Sequence, residues 1–280
     1  MPLDISASFK LTINQPTDFL LQFEAADIPE QRILSAETRL SPSLHTACVP
    51  AQDDIGQRIW VRAEGAYQVE YSARVEIDRM VPDLATLAQL DPHELPGETV
   101  EYLFDSRYCP GSQFLDFTAE RFGHLTGGAK VLAMRDWIFQ NFRYDPGSSH
   151  AGTTAVDTFH DLRGICRDFA HVLVCFARAS TIPARYVSCY APGVSPPDFH
   201  AVVEVFLADP TVAGGGAWHI VDATMMADPA KTAKIGIGRD AADVSFLTVF
   251  GDAQFCSSTV SVREALAGSS LETDPTPSLA

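Results

Sequence analysis

The sequence is poor in positive charge: 20 Lys and Arg stand against 36 Asp and Glu, a formal charge of −16. A surface biased this way repels phosphate backbones and anionic lipid, which excludes nucleic acid and membrane surfaces as partners. Long apolar runs are also missing, and nothing approaches the roughly 20 residues that a membrane-spanning helix needs. The opening residues Met1-Pro2-Leu3-Asp4-Ile5-Ser6 carry neither the basic cluster nor the apolar stretch of a secretory leader. No C-x-x-C pair occurs among Cys48, Cys109, Cys166, Cys175, Cys189 and Cys256. Six scattered cysteines in 280 residues fit reduced thiols better than a disulfide framework, so a cytoplasmic location is expected. No internal repeat is found.

What is present is a soluble globular composition, with 46% hydrophobic and 20% charged residues. Ile5, Ala7, Phe9, Leu11 and Ile13 alternate with mostly polar neighbours, as do Val69, Tyr71, Ala73, Val75 and Ile77. That period of two marks strands of an antiparallel sheet with one buried face, so the first part of the chain is β-rich. Prolines 82, 92, 96 and 110 make Met80 to about Gly111 a connector. The period then changes. Val131, Met134, Ile138 and Phe142 lie on one face of a helix that follows Gly127-Gly128 and ends at Tyr144-Asp145-Pro146-Gly147. A second helix is predicted over about 165–180, apolar on two faces and therefore central, with Pro183 stopping it. Strands follow at 185–190, 201–207 and 218–223, with a loop at 208–214.

Cys166 stands where the second helix begins. Unpaired backbone N–H groups and the positive end of the helix dipole suit an anionic sulfur there. Gly164 would let a substrate approach closely, and the Cys166 N–H could serve a developing oxyanion. Cys175 and Cys189, mid-helix and mid-strand, have the pattern of structural thiols. His200 opens one strand and Asp222 lies on the next. In one hairpin register His200 faces Asp222 and Leu207 faces Gly215; in another, Leu207 faces Trp218 and Asp222 sits opposite Val203. Nucleophile, base and orienting carboxylate are thereby available in Cys166, His200 and Asp222.

The runs Gly164-Ile165-Cys166-Arg167-Asp168-Phe169-Ala170-His171, Ile182 to Ser188, His200-Ala201-Val202-Val203-Glu204-Val205 and Val221-Asp222-Ala223-Thr224 resemble the bacterial transglutaminase-like superfamily. Upstream Phe142 to Ser149 and downstream Gly238 to Val244 are similar to segments of the same family, and the first 115 residues to the β-rich region that often precedes its core. Val202, Ala223, Ala241 and Arg167 depart from the usual Trp, Pro, Tyr and Gln. The resemblance implies an α+β fold. A papain-like transglutaminase core, with a central helix packed on an antiparallel sheet, would follow a β-sandwich-like N-terminal domain. The division expected is 1–110 for the β-rich domain, 111–267 for the catalytic domain and 268–280 for a flexible tail. It also implies a Cys-His-Asp triad on Cys166, His200 and Asp222. The enzyme would attack an amide carbonyl of a protein or peptide through a thioester, without metal or organic cofactor. Bacterial members are often described as cysteine proteases, which tilts the expectation to a peptidase or amidase. A protein-glutamine transamidase is the alternative, and a non-catalytic peptide-binding module is the reading from another class.

Other residues have plainer readings. Asp168 complements the helix N-terminus, and Glu204 forms an ion pair with Arg185. His171 and Cys175 are spaced for a shared metal but lack further ligands at suitable spacing. His219 lies three residues from Asp222 and points to the other side of the strand. Tyr144 or Ser149 is a candidate for the oxyanion site.

Overall fold

Two antiparallel sheets and a short parallel ladder frame the molecule, and the computed structural model describes residues 2–212 and 215–265 of it. In chain order the first half supplies β1 (Pro2–Leu21), β2 (Gln31–Leu40), β3 (His45–Pro50), β4 (Gln57–Ile77), α1 (Leu115–Phe122), α2 (Gly127–Asn141) and β5 (Arg143–Tyr144). The second half supplies α3 (Ala155–Asp161), β6 (Arg163–Gly164), α4 (Cys166–Ala179), β7 (Ala184–Tyr190), β8 (His200–Ala208), β9 (Gly216–Val221), β10 (Ala233–Gly238), β11 (Leu247–Phe250) and β12 (Ala253–Glu264). The fold is α+β with a β-rich N-terminal region.

Alternation in β1 and β4 buries the residues that the period-two pattern marks, Ile5 to Ile13 on one strand and Val69 to Ile77 on the other. The sheet is a single one of six strands: β1 and β4 are its centre, with β2 and β3 beside β4, and β11 and β12 beside β1. The β1–β4 register shifts between Ile13 and Thr17. Such an irregularity bends a sheet, and here Phe19, beyond the shift, meets Tyr67, before it, with ring centroids 5.1 Å apart. The division at residue 110 assigns the last strands to the catalytic region, but the ladder runs otherwise: Leu3 to Ile13 pair with β12, and Asp18 to Leu21 with β11. The two strands cover an edge of β1 that would otherwise be open. Only Val260 of β12 is buried, so β12 has too weak an apolar pattern to declare its sheet. The segment 268–280, expected as a tail, lies outside the described residues.

The second sheet has the order β10-β7-β8-β9. Against it packs α4, buried from Asp168 to Arg178 as its two apolar faces require. At its C-terminal end, the buried Arg178 guanidinium donates to the carbonyls of Ala184, Phe104 and Arg239. Gly128 lies in the first turn of α2 rather than before it, and a Cβ there would sit 1.7 Å from the Leu84 carbonyl oxygen. Glycine is what lets the connector lie against that helix.

The two sheets are joined by polar groups. Gln31 donates to the carbonyls of Ala26 and Lys234 and accepts from the Lys234 N–H. Tyr190 donates to the Phe23 carbonyl at 2.7 Å. Glu204 pairs with Arg185 at 2.8 Å, as expected, and also with Lys234, which reaches on to Glu30. Burial would raise the Glu204 carboxyl, but Lys234 and Arg185 outweigh it and hold the group down at about 2. A depressed carboxyl stabilises the fold above its unfolded value and ceases to do so as pH falls. The contribution of Glu204 is therefore lost between about pH 4.5 and 2. Glu204→Ala leaves Lys234 and Arg185 buried without their common partner. It should cost about 3–5 kcal/mol in denaturant unfolding at pH 7, and a loss under about 1 kcal/mol would show that the two cations find other compensation.

Candidate active site

Cys166 is the first residue of α4, and the turn before it is tightly built. Asp168 accepts from the Ile165 N–H at 2.9 Å, one of the donors a helix start leaves free. Gly164 owes its identity to this arrangement: a Cβ there would come within 2.6 Å of the Asp168 Cβ. Its small size thus admits the capping carboxylate. Arg167 turns the other way. It pairs with Asp168 at 3.0 Å and donates to Ser149 Oγ at 2.9 Å and the His150 carbonyl at 2.7 Å. The loop after Tyr144 is thereby clamped to the residue that follows the thiol.

His200 is the first residue of β8, directly opposite Cys189 on β7. On the other side β8 pairs with β9 so that Val203 faces Val221 and Leu207 faces Ala217. Neither register considered from the sequence is the observed one. Continued by one residue, it sets Asp222 opposite Val202, which shares the His200 side of the strand. Asp222 follows the end of β9, and its carboxylate reaches diagonally to His200, whose Nε2 donates to Oδ2 at 3.0 Å.

Five donors converge on Asp222. Oδ1 accepts the Thr224 N–H and hydroxyl, both at 2.8 Å. Oδ2 takes the N–H groups of Met226 at 3.0 Å and Ala227 at 2.8 Å beside the imidazole. Burial pushes this carboxyl up, but His200 and the backbone donors outweigh it and leave it below the usual carboxylate range. An ionised, acceptor-only carboxylate fixes the proton of His200 on Nε2.

That leaves Nδ1, which is buried and has no conventional hydrogen-bond partner. Burial would lower the imidazole, but its hydrogen bond to Asp222, the influence of the Cys166 sulfur and the negative charge of both push it up to about 10. A buried carboxylate and a half-buried thiol therefore both bear on this one imidazole. Burial, and next to it the Cys166 sulfur, push the Tyr144 phenol well above its ordinary value.

The remaining candidates fall elsewhere. Burial raises the thiols of Cys175 and Cys189 well above the ordinary range, which keeps them protonated. The His171 imidazole is lowered by burial, its Nε2 accepts the Ala241 N–H at 3.2 Å, and its ring stacks on Tyr108. His219 lies 3.9 Å from Asp209, away from Asp222. Ser149 Oγ is engaged by Arg167. Thr224 and the turn N–H groups of Met226 and Ala227 were not found from sequence; an acid followed two residues later by Thr is the one local signal for them.

The family described as the transglutaminase-like superfamily matches residues 117–223, which include all three of these side chains. A solved structure described as a putative cysteine protease from Cytophaga hutchinsonii is 30% identical. The alignment covers all of this chain and 94% of that one, with a TM-score of 0.84. An uncharacterized protein of Mycobacterium leprae (strain TN) is 28% identical over 186 residues, which are 63% of this chain. The chain spans 65% of that relative's length.

Proposed function

The chain belongs to the transglutaminase-like superfamily, and on that premise we propose that it is a cysteine peptidase or amidase working through Cys166, His200 and Asp222. The observation that carries this reading is the 3.0 Å contact of His200 with Asp222, with Cys166 acting on the same imidazole from the start of α4. The Cys166 thiolate attacks an amide carbonyl, the new S–C bond pushes the carbonyl π pair onto oxygen, and a tetrahedral oxyanion forms. As C=O re-forms, the C–N bond breaks and the imidazolium of His200 gives its proton to the departing amine. Water, deprotonated by the now neutral imidazole, then cleaves the thioester. The likeness to a protein described as a putative cysteine protease favours water over an amine as acceptor.

Alkylation by iodoacetamide at pH 6, mapped by mass spectrometry, tests the nucleophile. At that pH an ordinary thiol is only about 0.3% ionised. Cys48 and Cys256 are exposed whereas Cys166 is only half-buried, so accessibility alone favours the first two. Cys166 should nevertheless be labelled fastest, and labelling slower than at Cys48 and Cys256 would falsify the assignment. Casein with a fluorescent primary amine separates the chemistries: fragments without label are expected, whereas label without fragments would make the protein a transamidase.

A further inference from the structure

The two oxygens of Asp222 are held unequally. Oδ2 has the His200 imidazole and the N–H groups of Met226 and Ala227. Among the described residues Oδ1 has Thr224 alone, through its N–H and its hydroxyl, both at 2.8 Å. The same hydroxyl lies 3.0 Å from Oδ2 and accepts the Met226 N–H at 3.4 Å. An ionised carboxylate only accepts, so the Thr224 proton points at Asp222 and a lone pair at Met226. Thr224 is buried, its branched Cβ restricts its first torsion, and its hydroxyl is thereby fixed over the carboxylate. Met225, next in the chain, is left-handed at φ 57° and donates its N–H to the Asp222 carbonyl at 3.2 Å, which turns the backbone donors of 226 and 227 back toward Oδ2.

The β8–β9 ladder does not by itself bring Asp222 to His200, because its register, continued by one residue, sets 222 opposite Val202. What directs Oδ2 to the imidazole is the terminal torsion of the Asp222 side chain, and a torsion of this kind is broad, with little preference of its own. The backbone donors on Oδ2 fix where that oxygen sits. The tilt of the carboxylate plane depends on what holds Oδ1. We propose that Thr224 is a positioning residue for the acyl transfer: its hydroxyl, spanning both oxygens of Asp222, sets the carboxylate plane that keeps Oδ2 on the His200 Nε2–H. This rests on the reading of Cys166, His200 and Asp222 as the triad. Thr224 acts through Asp222 and gives no proton away. Without the hydroxyl the plane turns, the imidazole loses its fixed orientation, and the proton transfers slow while substrate binding does not change.

Thr224→Val keeps the backbone N–H and the branched shape and removes only the hydroxyl. With quenched fluorescent casein as substrate of the full chain, its kcat should fall about 10- to 10²-fold, the loss of one hydrogen bond to a charged group, while KM stays within about twofold. Thr224→Ser restores the hydroxyl and should bring kcat back to within about threefold of wild type. The downfield proton resonance of His200 Nε2, assigned by its loss in His200→Ala, should broaden away in Thr224→Val and return in Thr224→Ser. Thr224→Ala, which leaves space where valine places a methyl, replaces Thr224→Val with the same expectation if the latter does not fold. Wild-type kcat without the hydroxyl overturns the proposal and leaves the triad intact. A Thr224→Ser as slow as Thr224→Val also overturns it, because packing would then be the cause, and so does a raised KM at unchanged kcat, which would mark a substrate contact. Wild-type protein that cleaves no casein and labels Cys166 no faster than Cys48 sinks the triad reading itself, and the proposal with it.

Discussion

His200→Ala should lower the rate of amide cleavage by about 10⁴–10⁶-fold, with casein fragmentation as the measure. In the proposed mechanism the imidazole has two tasks that no neighbour shares: it would pair with the sulfur anion, and it would protonate an amine that otherwise leaves as an anion. His219 cannot substitute, because it faces Asp209. The variant should nevertheless fold. Asp222 keeps four of its donors, the Thr224 N–H and hydroxyl and the N–H groups of Met226 and Ala227. His200 itself contributes only one hydrogen bond to another side chain. Iodoacetamide labelling of Cys166 at pH 6 should slow in parallel, since the partner that stabilises the sulfur anion is gone. Cleavage within about tenfold of wild type would remove His200 from the mechanism.

How much of this was legible beforehand depends on which interactions are local. The long alternating runs of β1 and β4 and the two apolar faces of α4 announce themselves, because a period of two or 3.6 is written in adjacent residues. The short helices α1 and α3 escape, having too few turns to establish a period; Thr154 and Asp157, which cap α3 reciprocally, were the one sign of it. Registers escape for a different reason. A hairpin with a loop of free length does not declare which pairs face one another, and His200 and Asp222 meet although neither faces the other in the ladder. Pairings distant in sequence escape altogether, as with β12 on β1 or Lys234 on Glu204. Gly164 is legible only in part: its small size also serves Asp168, four residues on, a neighbour that the sequence does not announce.

Asp222→Asn should be nearly as damaging as loss of the imidazole, and it should also move the pH profile. The substitution keeps shape but changes one acceptor into a donor. Oδ1 accepts from Thr224, and Oδ2 from His200, Met226 and Ala227, so either orientation of an amide turns its NH₂ against backbone N–H groups. A buried donor facing donors costs about 1–3 kcal/mol of stability, and the imidazole loses its fixed tautomer, which in triads of this type lowers turnover by about 10⁴-fold. The sign of the pH effect follows from the charges around His200. Its imidazolium is held up to about 10 by the hydrogen bond to Asp222 and the influence of the Cys166 sulfur, against the opposing effect of burial. A raised imidazole carries its full stabilisation below about 6.5 and loses it as pH rises toward 10. With the charge at 222 removed, burial gains ground and the imidazolium is lost at lower pH. The alkaline limb of kcat/KM should therefore shift down in Asp222→Asn, as the residual cleavage rate measured from pH 5 to 10.5 will report. An alkaline limb that stays where the wild type has it would mean that Cys166 alone sustains the charge on His200, and that Asp222 only holds the turn from Thr224 to Ala227 in place.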